Sequence, residues 1–242
     1  KVIQSSLLPD FRQVQTFLPH SFWIWQPRDI VGGDMLYVEA FDQEWLVVVM
    51  DCTGHGVPGA FMTMVAATNL RRITRDEGCH QPAEILQRLN VLMKTSLQQD
   101  TEQARSDDGL DAAICLIQPL KQQLRFAGAK LPLYYLHQDQ LQLLKGDKHS
   151  LGYKRSNVKF TFTTQTLPLD AGMAFYLATD GLIDQLGGPK RLPLGNKRFQ
   201  ALLWEKRQES WEDQAQQLLV AFQDYQGENA RQDDVTVVGF GV

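Results

Sequence analysis

Four aspartates stand in short contexts marked by glycine or threonine, far apart along the chain. The contexts are Val31-Gly32-Gly33-Asp34, Asp51-Cys52-Thr53-Gly54-His55-Gly56, Ala178-Thr179-Asp180-Gly181 and Asp233-Asp234-Val235-Thr236. Three of them adjoin an apolar, β-prone run, so an aspartate is predicted at the end of a strand. Carboxylates held stiffly at strand ends and meeting in one place would form an all-oxygen site for Mg²⁺ or Mn²⁺.

The order of the predicted elements favours antiparallel sheets covered by helices. Apolar or alternating runs predict strands at residues 21–26, 35–40, 45–50, 111–118, 122–128, 132–137, 140–144, 158–165, 173–178 and 235–242. Helical spacing of apolar residues predicts two helices that begin near Pro58 and Pro82, and two more that include Phe199 and Phe222. Because helices do not alternate one for one with strands, a parallel doubly wound sheet is disfavoured and the α+β class is predicted.

Composition places the chain among ordinary globular proteins and argues against several classes of function. The 242 residues carry a net charge of −4 and include no run of Lys and Arg, which argues against nucleic acid as the main partner. No apolar run reaches the roughly 18 residues that a membrane span needs. Cys52, Cys79 and Cys115 are odd in number and lack a Cys-x-x-Cys spacing. A reducing cytoplasmic compartment is therefore expected, without a disulfide framework or a zinc site.

The aspartates indicate two-metal hydrolysis of a phosphate ester. Asp51 ends the most apolar run, residues 45–50, and is the natural carboxylate to bridge two cations. Asp34, Asp180 and Asp233 are candidates for the outer faces of these cations. Two cations roughly 3.5–4 Å apart lower the pKa of a bridging water, and the resulting hydroxide attacks phosphorus. A single Asp-Gly is most often a turn, but four such contexts favour a shared site.

Taken in order, these motifs resemble those of a known family. Gly-Gly-Asp, then Asp-x-x-Gly-His-Gly before a helix, then Thr-Asp-Gly, then Asp-Asp-x-Thr before a terminal strand resemble the metal-dependent protein phosphatases (PPM family), most closely their bacterial SpoIIE/RsbU-like branch. The segment from Ile3 to Pro9 resembles the usual start of that domain, and the segment from Phe126 to Leu133 resembles its Ala-Gly-x-x-Pro-Leu stretch. The resemblance extends over nearly the whole chain, and the combination and order of the motifs are specific.

The resemblance implies a fold, an activity and a set of ligands. The fold would be an α-β-β-α sandwich of two mainly antiparallel sheets flanked by helices, formed by one domain over residues 1–242. The activity would be Mn²⁺- or Mg²⁺-dependent removal of phosphate from phosphoserine or phosphothreonine on a protein. By matching motif, Asp34 and Asp51 would hold one cation, and Asp51, Asp180 and Asp233 would hold the other.

The chain departs from the family pattern at two places. Cys52 stands where the family usually has a glycine whose backbone carbonyl binds metal, and the carbonyl of Cys52 is expected to serve instead. The aspartate that holds a third metal in some relatives has no match near Ala129 and Lys130. Two ions are therefore predicted.

The resemblance also implies a partner and a cellular setting. The substrate in this branch is typically a small regulatory protein related to anti-sigma-factor antagonists. The catalytic domain usually follows a sensor or membrane module. We therefore expect a cytoplasmic domain excised from a longer signal-transduction protein, with membrane contact only through an upstream segment. The apolar N-terminal residues Val2, Ile3, Leu7 and Leu8 leave a homodimer open.

Several polar residues near the motifs have both a functional and a simpler interpretation. His55 is a candidate general acid for the leaving oxygen, or a turn histidine bonded to backbone. Arg28 is a candidate for bidentate binding of the substrate phosphate, or a surface arginine, and Lys130 has the same two interpretations. Asp111 opens an apolar strand, where it is either buried near the site or paired with a surface base. The acidic loop at residues 98–109 either gates the site or is merely solvated.

Two other functions are alternatives to the phosphatase hypothesis. A two-metal nucleotide cyclase also carries Gly-Gly-Asp, but it needs a βαββαβ core and acidic residues directly after the glycines, whereas Met35 and Leu36 follow Asp34 here. A catalytically inactive regulator would keep the fold and bind a partner. Against this second alternative, all four ligand contexts are intact in the sequence.

Overall fold

The chain forms two five-stranded sheets with helices on their outer faces, described for residues 2–101 and 104–242 in a computed structural model. The strands are β1 Ser21–Gln26, β2 Asp34–Phe41, β3 Glu44–Cys52, β4 Leu110–Gln118, β5 Gln123–Ala129, β6 Leu133–His137, β7 Gln140–Leu144, β8 Gln165–Pro168, β9 Ala174–Ala178, β10 Leu186–Gly187, β11 Leu192–Pro193 and β12 Val235–Gly241. The helices are α1 Val2–Ser5, α2 Phe11–Gln15, α3 Gly56–Arg71, α4 Pro82–Ser96, α5 Asp180–Asp184, α6 Gly195–Lys206 and α7 Trp211–Gln226.

Every pairing within the two large sheets is antiparallel. One sheet has the strand order β1-β12-β9-β6-β7, and the other has the order β2-β3-β4-β5-β8. The strands β10 and β11 form a separate short ladder. Because β1 pairs with β12, the beginning and the end of the chain lie side by side in one sheet.

Alternate side chains of each strand face two different apolar layers. On β3, Val47 and Val49 pack between the two sheets, whereas Leu46 and Val48 pack under α3 and α4. The outer face of the other sheet is covered by α6 and α7, which bury Phe199 and Phe222 against it. This is an α-β-β-α sandwich, which confirms the predicted α+β fold. Because β3 is buried on both faces, its sequence is a continuous apolar run.

The helices that cover the site-bearing sheet begin where the sequence predicts. The first, α3, begins at Gly56, directly after the turn that follows β3, and continues as a π-helical turn over Arg72–Asp76. The second, α4, begins with Pro82, because proline suits the first helical turn. Within residues 2–101 and 104–242, no helix is both long enough and apolar enough to cross a membrane.

Most predicted strands are confirmed, but the strand at residues 158–165 is wrong. Of that range, Gln165 alone belongs to a strand, β8. Phe160 and Phe162 alternate because both rings pack around His149 and against the layer under α4, which requires no strand pairing. The loop predicted at residues 98–109 includes residues 102–103, which lie outside the described residues.

Candidate functional site

Three aspartates lie side by side on neighbouring strands of one sheet. The register pairs Asp34 of β2 with Asp51 of β3, and Asp51 with Asp111 of β4. Residues directly opposite each other in an antiparallel pair have Cβ atoms roughly 5 Å apart. Val49 and Ala113 belong to the layer between the sheets, so alternation along the strands places these aspartates on that same inner face. The carboxylates therefore meet at one end of the space between the sheets.

The other sheet brings its own acidic residues to the same end. Asp180 is the first residue of α5, two residues after the end of β9, and Asp233 lies two residues before β12. Thr179 joins the two sheets at this point, because its hydroxyl donates a 2.7 Å hydrogen bond to Oδ2 of Asp34. The four predicted metal-binding aspartates therefore come from both sheets, as the family resemblance implies.

The carboxylates of Asp34, Asp51, Asp111, Asp180 and Asp233 form one acidic group. Their mutual repulsion reflects how closely they converge. Burial raises the pKa of Asp51 well above its usual value, and the charges of Asp34, Asp180, Asp233 and Asp111 raise it further. Burial also raises the pKa of Asp34 to about 8. Asp34 is only 3% exposed, whereas Asp180 is open to solvent, although nearby atoms still desolvate its carboxylate and raise its pKa. The acidic group thus leads from the interior to the surface.

Asp234 has a structural role that distinguishes it from its neighbour Asp233. Its carboxylate accepts hydrogen bonds of 2.6 Å from the backbone N–H groups of both Arg28 and Gly33. Asp233 accepts a 2.8 Å hydrogen bond from the backbone N–H of Asp234 and stays partly exposed. Asp234 therefore fixes the turn that precedes Asp34, while Asp233 is the member of the pair whose charge acts on Asp51 and Asp180.

Two motif glycines are required by close approaches of the backbone. A Cβ on Gly33 would lie 2.3 Å from the carbonyl oxygen of Gly54 and 2.7 Å from that of Cys52. A Cβ on Gly181 would lie 1.9 Å from the carbonyl oxygen of Asp234. These glycines let the loops that carry the acids pack directly against one another. The carbonyl of Cys52, a predicted ligand, consequently lies against the Gly33 turn at the site.

The donor set at this end of the sheets fits a divalent cation. Within the described part of the chain, Asp111 Oδ1 and Thr236 Oγ1 are buried side-chain oxygens without a hydrogen-bond partner, and both lie on strands that end at the acidic group. Buried polar atoms are nearly always paired, and carboxylate oxygens suit Mg²⁺ and Mn²⁺. In residues 2–101 and 104–242, no three His, Cys, Asp or Glu side chains lie close enough together, as they stand, to hold a metal ion by themselves. Waters would complete the coordination, as is usual for Mg²⁺.

The three predicted substrate-binding residues have partners of their own. Nδ1 of His55 lies 2.7 Å from Oδ2 of Asp29, with both side chains about half exposed, at 42% and 50%. Arg28 uses Nη1 to donate a 3.0 Å hydrogen bond to a backbone carbonyl. Lys130 places Nζ 3.6 Å from Oδ2 of Asp111. Lys130 is therefore in direct contact with an acid of the group, whereas His55 and Arg28 bond to neighbouring loops.

The sequence pattern leaves the role of Asp111 undecided, and it includes Thr179 and Gln4 in family motifs without giving either residue a role. Both options for Asp111 hold, because it lies beside Asp51 and also contacts Lys130. Its position two residues before Ala113, on the inner face of β4, is the signal that could have identified it. No local pattern identifies Gln4, whose partner Gly32 is distant in sequence.

The fold and the acidic group define the class of protein. Two antiparallel sheets flanked by helices, with aspartates converging at one end of the inner layer, are the architecture of metal-dependent phosphatases of the PP2C type. A model of the family SpoIIE (Stage II sporulation protein E) matches residues 42–242. The chain therefore belongs to the SpoIIE family, which confirms the resemblance inferred from its motifs. The matched part contains Asp51, Asp180 and Asp233, and it begins after Asp34. No curated protein sequence matches significantly.

Solved structures are similar over nearly the whole chain. The SiaA-PP2C domain of Pseudomonas aeruginosa has 35% identity and a TM-score of 0.90, over 100% of this chain and 93% of that chain. The PP2C phosphatase domain of Bacillus subtilis SpoIIE, with a fragment of its regulatory domain, has 16% identity and a TM-score of 0.72, over 91% of this chain and 62% of that one. The RsbU and RsbW domains of a Mycobacterium tuberculosis protein have 19% identity and a TM-score of 0.72, over 93% of this chain and 60% of that chain. The last two show the fold alone. The PP2C-like fold implies dependence on a divalent metal in general.

Proposed function

We propose that the chain is a Mn²⁺- or Mg²⁺-dependent phosphatase that hydrolyses phosphoserine or phosphothreonine on a protein. The observation that supports this most strongly is the register of Asp34, Asp51 and Asp111 on one inner face, within reach of the charges of Asp180 and Asp233. Such a group offers oxygen ligands alone, and that chemistry selects hard divalent cations. In a fold shared with PP2C-type phosphatases, the corresponding reaction is hydrolysis of a phosphate ester.

We assign two ions to this group, with the ligands that the family motifs imply. Asp51 would be the shared carboxylate, as the family motifs imply, and its register between Asp34 and Asp111 makes it the middle acid of its sheet. Asp34 would serve one ion and Asp180 and Asp233 the other, with the backbone carbonyl of Cys52 as a further ligand. When bound, the cations supply activation of a water nucleophile at neutral pH and neutralise the charge of the phosphate.

The protein itself supplies stiff placement of the ligands and an opening for the substrate. Thr179 holds one oxygen of Asp34, so the carboxylate is oriented before any ligand arrives. The exposed side of the group, at Asp180, is where a phosphorylated side chain would enter. We propose Lys130 and Arg28 as cationic groups for the phosphate and His55 as a proton donor to the leaving oxygen.

The substrate and setting are proposed from the resemblance to the SpoIIE/RsbU-like branch. We propose a small phosphorylated regulatory protein of the anti-sigma-factor-antagonist type, dephosphorylated in the cytoplasm as a step in signal transduction. A protein substrate suits the site because Asp180 and Lys130 are exposed at its mouth, where a phosphorylated surface loop can reach them.

Phosphatase activity with and without cation tests the proposal. With Mn²⁺, the chain should hydrolyse an aryl phosphate and a phosphoserine or phosphothreonine peptide, and a chelator should abolish both activities. Asp51→Asn should lower kcat/KM at least about 100-fold, equivalent to about 2.7 kcal/mol of transition-state stabilisation. The matched control is Asp42→Asn, an exposed turn aspartate at φ 51° where asparagine is equally at home, and it should retain parent activity. Full activity in chelator would overturn the proposal.

Two further measurements distinguish the alternatives from the proposed phosphatase. An inactive regulator would bind no Mn²⁺ at the acidic group, so titration calorimetry with MnCl₂ alone separates it from an enzyme. A nucleotide cyclase would convert GTP to a cyclic product and would need the βαββαβ core, which is not the topology of the two sheets. The family and fold favour neither alternative.

A further inference from the structure

Gln4 is the buried residue of an otherwise exposed N-terminal helix, α1. Its side chain is 5% exposed, whereas Val2 and Ile3 are 84% and 70% exposed. The amide Nε2 of Gln4 donates to the carbonyl oxygen of Gly32 at 2.6 Å, and the backbone N–H of Gly32 donates to Oε1 of Gln4 at 3.1 Å. One side chain thus satisfies both backbone groups of a single distant residue, as a paired strand would.

The residue that Gln4 holds belongs to the turn that presents Asp34. The next residue, Gly33, donates its backbone N–H to Oδ2 of Asp234 at 2.6 Å. A Cβ on Gly32 would lie 2.4 Å from the carboxylate of Asp234, so the turn is confined on that side as well. Gln4 and Asp234 therefore fix two consecutive peptide groups directly before Asp34 enters β2.

The same amide also reaches the helix that follows Asp51. Nε2 of Gln4 donates a 3.0 Å hydrogen bond to Oγ1 of Thr63, a residue of α3 that is 1% exposed. Near the start of this helix, a Cβ on Gly59 would lie 2.8 Å from the backbone nitrogen of Gly33. Gln4 thus ties the turn before one site aspartate to the helix that begins after the other.

We propose that Gln4 is a positioning residue for the cation site, which holds the turn before Asp34 so that Asp34 faces Asp51 in the binding geometry. Without this amide, the N–H and carbonyl of Gly32 lose their partners, and the turn must move to find others. The inference rests on the proposed function for its effect on turnover, but its effect on Mn²⁺ binding is independent of any activity.

Mn²⁺ titration of the 242-residue chain tests this role. Gln4→Ala removes all three hydrogen bonds, and Gln4→Glu keeps an acceptor for Gly32 while losing the donor. The matched control is Gln15→Ala, at an exposed position of α2. We expect Gln4→Ala to weaken Mn²⁺ binding about tenfold, because buried polar groups of Gly32 lose their partner. Gln4→Glu should weaken it at least as much, because its carboxylate would face the carbonyl oxygen of Gly32. Gln15→Ala should match the parent, and circular dichroism melting should show that each variant is folded.

Kinetics with a phosphopeptide provide a second readout that a general loss of stability would not produce. In Gln4→Ala, kcat at low Mn²⁺ should fall and should recover at high Mn²⁺, while KM for the peptide stays unchanged. Parent-like Mn²⁺ affinity in a folded Gln4→Ala chain overturns the inference and leaves the proposed function standing. If Gln4→Ala does not fold, parent-like affinity in Gln4→Glu overturns it equally. If Gln4→Ala binds Mn²⁺ more weakly than the parent while the parent shows no phosphatase activity, the role of Gln4 is supported and the proposed function is overturned.

Discussion

Asp34 is a carboxylate with almost no access to water, placed directly opposite a second carboxylate, Asp51. Like charges that face each other across a sheet destabilise it, and a buried unpaired charge is costlier still. The raised pKa of Asp34, about 8, is the result of this placement, with burial as the main cause. Near neutral pH, the carboxyl group of Asp34 in the metal-free chain is therefore protonated and neutral, and a bound cation would replace that proton.

Cation binding should consequently release protons and weaken as the pH falls. Because the pKa of Asp34 is raised from 3.8 to about 8, the metal-free site is protonated at pH 7 and a cation must displace that proton. The apparent Mn²⁺ affinity should rise from about pH 6 to about pH 8, by up to about tenfold per pH unit for one proton. Titration calorimetry in two buffers of different ionisation enthalpy measures both the Mn²⁺ affinity and the number of protons released. Affinity that does not change with pH, with no proton release, would contradict the prediction.

Among the elements, β2 belongs to one sheet and β9 and β12 belong to the other, yet one hydroxyl connects all three. Thr179, directly after β9, donates to Asp34 of β2 and accepts a 3.0 Å hydrogen bond from the backbone N–H of Thr236 in β12. The side chain is fully buried. Elsewhere the two sheets meet through apolar packing, which tolerates small shifts. At the site their separation is fixed by directed hydrogen bonds instead.

Thr179→Val should separate this link from simple packing, because valine keeps the shape and removes the hydroxyl. The free energy of unfolding should fall by about 1–3 kcal/mol as the N–H of Thr236 loses its partner, and Mn²⁺ binding should weaken as Asp34 loses its donor. Thr179→Ser keeps the hydroxyl and should lose about 1 kcal/mol for the missing methyl group, with parent-like Mn²⁺ affinity. Urea unfolding and Mn²⁺ titration measure the two effects. Equal Mn²⁺ affinities in the two variants would show that the hydroxyl does not orient Asp34.

The elements that the sequence predicts well are those defined by local patterns. Residues 45–50 are apolar throughout because β3 is covered on both faces, and Asp51 stands where that run ends. The place of Asp111 beside Asp51 depends on a pairing that two intervening helices separate in sequence. Phe160 and Phe162 imitate a strand because aromatic packing also produces alternation. Strand pairing and side-chain contacts between distant segments leave no periodic signal, so neither was predictable.

For the whole molecule, the acidic group lies where both ends of the chain meet. β1 pairs with β12, Gln4 holds Gly32, and Asp234 holds Gly33, so segments from the start and the end of the sequence converge on one turn. The site therefore forms only when the long-range contacts of the fold are complete. Its repulsive carboxylates oppose that folding, which is the usual conflict between stability and function at an active site.

Mn²⁺ should therefore stabilise the entire fold, and removal of one acid should stabilise the metal-free protein. A ligand that binds the native state alone adds about 2.7 kcal/mol at 100 times its Kd, which for a chain of this size raises Tm by roughly 5–10 °C. In chelator at pH 8, Asp51→Asn should unfold at a higher temperature than the parent, because it removes a carboxyl group whose ionised form is disfavoured by burial and by the neighbouring acids. Addition of Mn²⁺ should raise the Tm of Asp51→Asn only slightly.

Differential scanning calorimetry of the parent, Asp51→Asn and Asp42→Asn, each in chelator and in saturating Mn²⁺, measures these shifts. Asp42 is exposed in the turn between β2 and β3, so its variant should follow the parent in both conditions. A parent Tm that Mn²⁺ does not change would rule out a native-state cation site. A metal-free Asp51→Asn chain that is less stable than the parent would contradict the prediction, because it would show that the paired carboxylates do not repel. A site selected for binding at the expense of stability requires that Asp51→Asn have the higher Tm in chelator and that the parent have the higher Tm in saturating Mn²⁺.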